Sequence, residues 1–164
     1  MTRTLILLCL LLSTNRVVTL AQSKYETLEV VIMQDQPIVK GTINGKNAYL
    51  LLNTGADVSI IHFKDAKRYG FSCHTRTSMK KFRVTGLGAN VKGLVGVYNM
   101  DLQLGSQIIR ANYIALDLSN IINSLNTGTS VRINGIIGSK ALKTHGFLID
   151  YHRKEVKLRL LETD

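Results

Sequence analysis

The sequence predicts one all-β domain carrying two or three short helices, and three observations point that way. Short runs that are β-branched, or that alternate apolar with polar residues, recur roughly every 8–12 residues. Thirteen glycines punctuate them, while Pro37 is the only proline and tryptophan is absent. No segment after residue 21 approaches the ~18 uninterrupted apolar residues of a membrane-spanning helix.

Taken in order, the first element is a leader. Residues 1–21 place Arg3 ahead of an apolar run from Leu5 to Leu12, then Thr19 and Ala21 at the −3 and −1 positions of a cleavage site. That is the layout of a secretory signal peptide, and its apolar run is too short to span a bilayer. The expected location is therefore secreted or periplasmic. Removing the leader leaves 143 of the 164 residues, a length that suits one core. Residues 22–36 form a lead-in strand and residues 37–161 the single domain.

Strands are predicted at 27–33, 38–43, 48–52, 58–61, 81–85, 91–97, 100–104, 108–116, 132–137, 147–151 and 156–160. Asn44-Gly45 sits between two of these runs and predicts a tight hairpin, whose two central residues need positive φ. Pro37 opens a strand, where a missing N–H does least harm. Helical pieces are predicted at 63–69, 118–125 and 139–145. Gly70 ends the first, Ser139 would cap the start of the third, and Gly146 would end it.

The composition bounds function. The net charge is +10, and about +8 without the two leader arginines. Such a charge can signal nucleic acid. Here the basic residues are scattered, with denser groups at 76–83 and 151–159, and no zinc-finger spacing or RNA-binding aromatic pattern appears. A basic surface is the reading, with no nucleic-acid partner. Cys9 falls in the leader, so Cys73 is the only mature cysteine and no internal disulfide can form. Cys73 is either a reactive thiol, one half of an intermolecular bridge, or a half-buried small side chain. His62, His74, His145 and His152 show no ligand spacing, so no metal and no cofactor are expected. Neither a serine-hydrolase nor a nucleotide-binding signature is present.

The informative stretch is Tyr49-Leu50-Leu51-Leu52-Asn53-Thr54-Gly55-Ala56-Asp57-Val58-Ser59. An apolar strand leaves the core and stops at a polar side chain. Gly55 permits a tight loop, the Thr54 hydroxyl can bond nearby backbone, and a second apolar strand follows. A further pattern, Ile136-Ile137-Gly138, leads into the third helix 83 residues beyond position 53. Between them lies the stretch 81–96, which contains Gly86-Leu87-Gly88.

On these motifs the sequence resembles the retropepsin-like aspartic peptidases, the retroviral-type proteases and their bacterial relatives. The resemblance covers about residues 37–160. It implies a retropepsin-like closed β-barrel (the acid protease fold) and an aspartic endopeptidase. It places Asn53, Thr54 and Gly55 at the catalytic loop and assigns Ala56, Asp57 and the flap tip Gly86, Leu87 and Gly88 to substrate binding. Ile136, Ile137 and Gly138 become the second structural motif. It also implies a peptide or protein substrate and a homodimer, because a shared-proton dyad needs two such loops and 143 residues hold one. A second string, Leu125-Asn126-Thr127-Gly128-Thr129, follows a helix-like segment rather than a strand and reads as coincidence.

One departure is central: the family's catalytic Asp is Asn53 here. In the family two aspartates share a proton, one activating water and the other polarising the scissile carbonyl. An amide cannot take that proton. Three readings stay open: a natural pseudoenzyme that binds peptides, an active-site variant that traps a complex, or a branch with other chemistry. Asp57 is either a substitute acid or, as in the family, a group that steadies the loop or bonds substrate main chain. Retroviral members pair that Asp with an Arg after the second motif's glycine. Ser139 stands there, leaving the pair missing or served by Lys140. Retroviral dimers also interleave their chain ends, for which residues 158–161 are the candidate, unless they form an edge strand of one subunit.

Overall fold

The computed structural model describes residues 24–32, 37–75, 82–83, 90–91, 95–126 and 131–161. They form β1 (Tyr25–Thr27), β2 (Val30–Ile32), β3 (Ile38–Ile43), β4 (Lys46–Asn53) and β5 (Ser59–His62). A 3-10 turn (Phe63–Asp65) and α1 (Ala66–Tyr69) follow, then β6 (Ser72–Thr75), β7 (Phe82–Arg83), β8 (Asn90–Val91) and β9 (Val95–Tyr98). The remainder is β10 (Leu102–Leu104), β11 (Gln107–Ile108), β12 (Tyr113–Leu116), α2 (Ser119–Asn126), β13 (Gly135–Gly138), α3 (Ser139–Thr144), β14 (Phe147–Asp150) and β15 (Glu155–Arg159). The domain is thus mostly β with short helices where the sequence placed them.

Ten strands pair in the order β11-β10-β3-β4-β13-β5-β12-β9-β6, with β2 added to β3. A separate sheet runs β1-β15-β14, and β7 pairs with β8. The β3–β4 hairpin turns at Asn44 and Gly45, both at positive φ (47° and 76°), as the dipeptide demands. Asn44 does more than turn. Its Nδ2 donates to the carbonyls of Tyr69 and Asn99, each at 3.0 Å, and its Oδ1 accepts the Asp101 N–H at 2.7 Å. One side chain thereby ties the hairpin to α1 and to the start of β10.

At the centre of the sheet, β13 lies parallel to β4 and antiparallel to β5. Both of its faces are covered, so its side chains are apolar throughout. Ile137 joins Leu50, Leu52 and Ile61 in one cluster, and Ile136 joins Leu51, Ile60, Leu118 and Ile122 in the other. Ala56 packs in the second cluster, fully buried, which anchors the loop after β4 to the core.

Several predicted elements differ. The run 27–33 divides into β1 and β2 because the chain changes sheets there: the Leu28 N–H donates to Val156 O, and the Glu29 carbonyl accepts from Lys40 N–H, both at 2.9 Å. The run 108–116 also breaks, though within one sheet: β11 pairs with β10 and β12 with β5, and between them the Arg110 carbonyl lies 3.0 Å from His145 Nε2. Strand β6, Ser-Cys-His-Thr, has no apolar alternation and exists through its pairing with β9. Ser139 is the first residue of α3 rather than its cap; Gly138 holds the cap position without a side-chain bond. Gly146, at φ 65°, does end that helix.

Helix α2 starts under electrostatic control. Asp117 Oδ1 accepts the Ser119 N–H at 2.9 Å and Oδ2 meets Lys64 Nζ at 3.0 Å. Beside them, buried His62 accepts the Leu118 N–H through Nδ1 at 3.0 Å, so that nitrogen carries no proton in this arrangement. The bonds from Ser119, then the Lys64 ammonium, hold the Asp117 carboxyl well below the usual range. A lowered folded-state value adds stability above the ordinary carboxylate value of ~3.9, and that stability is lost as pH falls further. Asp117→Asn is therefore expected to flatten the fall in thermal midpoint below about pH 4. A fall as steep as that of the unaltered chain would show that Asp117 does not carry it.

Candidate active site

Strand β4 delivers Asn53 to the edge of the core, and β13 delivers Gly138 beside it: the two are partners in the parallel ladder. The chain after Asn53 folds back in a compact loop. Asn53 Oδ1 accepts the Gly55 N–H at 2.9 Å, and the Asn53 carbonyl accepts the Ala56 N–H at 3.3 Å. This is an Asx turn, in which the side chain imitates a backbone acceptor. Asn53 is half-buried, Thr54, Gly55 and Asp57 are exposed, and Ala56 is buried.

Two bonds lock the loop to the second motif. The Ser139 N–H donates to Ala56 O at 2.7 Å, and the Gly138 N–H donates to the buried Ser59 Oγ at 3.1 Å. Close packing makes Gly138 obligatory. A Cβ there would lie 2.6 Å from Val58 C and 2.8 Å from Ala56 O, and nearer still to the Val58 oxygen. Gly55 has a different reason. Its φ is not left-handed, but a Cβ would come within 3.2 Å of Asn53 Oδ1. Its small size leaves room for the residue-53 side chain, rather than freeing the backbone.

The structure thus brings together Asn53, Thr54, Gly55, Ala56 and Asp57 with Ile136, Ile137 and Gly138. Residues Gly86, Leu87 and Gly88 lie outside the described residues. Among the described residues neither Ser139 nor Lys140 forms an ion pair with Asp57. Of the second string only Leu125 and Asn126 are among the described residues, and they end α2 rather than a strand. Residues 158–161 are not an edge strand: Leu158 belongs to β15, the middle strand of its sheet, with β1 and β14 on its two sides. Cys73 is free and half-buried, and burial pushes its thiol up, which disfavours the reactive thiolate.

Sequence reasoning missed Ser59, whose hydroxyl serves the second motif from 79 residues away. It also missed a surface cleft beside the loop, lined by Thr54, Ser139, Leu142, Lys143, Phe147 and Ile149. A third omission is a polar cluster behind the site. Arg132 donates twice to the buried Asp65 carboxylate, at 2.9 and 3.1 Å, and Asn134 Nδ2 donates to it at 2.9 Å. The Asp65 carboxylate raises the Arg132 guanidinium above even its ordinary value.

No protein-family model and no curated protein matches the chain. Two solved retropepsin-like domains are similar to it. One is the retroviral protease-like domain of Ddi1 from Leishmania major: 18% identity, covering 76% of this chain and 93% of that one, TM-score 0.49. The other is a retropepsin-like aspartic protease from Rickettsia conorii: 17% identity, covering 83% and 95%, TM-score 0.47.

Proposed function

We propose that this chain is a retropepsin-like domain that holds an extended peptide at a site built from two copies of the Asn53 loop. Its chemistry is that of an aspartic endopeptidase in which the amide at position 53 suppresses hydrolysis. The observation that carries this reading is the ladder partnership of Asn53 with Gly138, which sets the polar loop against the second motif at the end of the central strands. The loop's exposed Thr54 and Gly55 suit an isologous contact, in which the same surface meets its own copy about a two-fold axis. The signal-peptide layout of residues 1–21 supports a secreted or periplasmic location for this chain.

A second reading is a non-enzymatic peptide-binding module that has kept the cleft. Asn53 itself favours it. Its oxygen is engaged by Gly55 N–H, and the remaining NH2 is a donor only, so neither atom can act as a base.

The test is sedimentation of the leaderless chain with a mixture of unstructured peptides. Two chains per bound peptide are expected. Binding by single chains would overturn the two-fold site, and absence of binding would overturn both readings.

A further inference from the structure

The lengthwise alignment of β4 and β13 decides whether Gly138 stands beside Asn53, and apolar patterning does not settle it. Leu50 and Leu52 face one cluster and Leu51 the other, as do Ile137 and Ile136. A one-residue slip would exchange the faces yet leave apolar groups on both, so the one-faced burial that usually specifies register does not by itself distinguish the two alignments. Gly138 restricts the end nearest the loop. The opposite end is fixed by polar groups.

There Asn134 closes both backbone groups of Tyr49. Its N–H donates to Tyr49 O at 2.8 Å, and its side-chain Oδ1 accepts the Tyr49 N–H at 2.9 Å. Asn134 is 2% exposed, so an unpaired Tyr49 N–H would be costly here. A side-chain amide can present either its oxygen or its NH2. Asp65, 5% exposed, decides which: a carboxylate only accepts, so it takes the NH2 and turns the oxygen toward Tyr49. Arg132, with two bonds to that carboxylate, holds it in place. Buried ionic groups are weak sources of stability, and setting register is their best-attested use.

We propose that Asn134, oriented by Asp65 and Arg132, is the positioning residue that sets the β4–β13 register and so holds Gly138 beside Asn53. This deepens the proposed peptidase reading, since a slip by one residue moves the second motif by ~3.3 Å, and a 1 Å misplacement can cost about 10²-fold in rate.

The test combines a triple replacement, Asp65→Leu, Arg132→Met and Asn134→Val, with NMR on the leaderless chain. The expected result is a thermal midpoint kept or raised, with more than one set of cross-strand contacts between residues 50–53 and 135–138. A single, native set would overturn the proposal. Should the triple variant fail to fold, Asp65→Asn, which keeps the shape and removes the charge, decides. Hydrogen exchange at the Tyr49 amide is expected to rise on the order of tenfold, and unchanged protection there would overturn the proposal. In an Asn53→Asp background the triple variant is expected to lose about 10²-fold in kcat with little change in KM. Slipped register with full kcat would count against the peptidase reading and leave the register assignment standing. Native register with reduced kcat would overturn the assignment instead.

Discussion

Asn53→Asp is expected to raise peptide cleavage by roughly 10²–10⁴-fold, the usual contribution of a positioned general base. The substitution disturbs little else. Asn53 Oδ1 accepts the Gly55 N–H at 2.9 Å, and one carboxylate oxygen would inherit that bond. The only chemical exchange is NH2, a donor, for a second oxygen able to draw a proton from water. Two such carboxylates facing each other cannot both ionise easily, so the pair would share a proton and its two apparent pKa values would separate. A bell-shaped rate profile is expected, its limbs belonging to the pair rather than to either chain. Rates measured from about pH 4 to about pH 7 for both chains decide the matter. Equal rates would show that position 53 is not the base. Peptide binding by both chains, with no gain in cleavage, would favour the binding module.

Gly138→Ala is expected to destabilise the chain by about 3 kcal/mol or more, at the upper end of overpacking effects. The added methyl meets backbone at Val58 and Ala56 rather than the end of a flexible side chain. Relief requires moving β13 away from the loop, which strains the Gly138 to Ser59 bond and the Ser139 to Ala56 bond. Gly55→Ala is the contrast. Its Cβ would meet only Asn53 Oδ1, at 3.2 Å, so stability is expected to stay within about 1 kcal/mol while the residue-53 side chain shifts. Urea unfolding of both variants checks this pair. A midpoint for Gly138→Ala equal to that of the parent would show that the loop and second motif are less tightly joined than their packing indicates.

Much of this arrangement was legible in the sequence because it is local. Asn44-Gly45 announced a hairpin, and an apolar run ending in Asn53 announced a strand that stops at a polar loop. The third helix could be placed from the apolar pair before it and Gly146 after it. What stayed hidden depends on distant partners. Ser72 to Thr75 is a strand only because β9 lies beside it. Ser59 looked like an ordinary polar residue opening a strand, and nothing local tells that its hydroxyl reaches Gly138. Asp65 and Arg132 are 67 residues apart and look like any two surface charges until the sheet brings them together. Ser139 misled for the same reason: it has the right side chain for a cap, but the Ala56 carbonyl takes its N–H.

The placement of β15 between β1 and β14 has a bearing on how two copies can meet. Among the described residues β15 is flanked by strands of its own chain, so the proposed pairing of two copies would need no strand from the second copy to complete that sheet. On that arrangement folding and the proposed pairing would be separate equilibria. Dilution would empty the proposed two-copy site without unfolding its halves, so protein concentration, rather than denaturation, would act as the dial that sets how many sites exist.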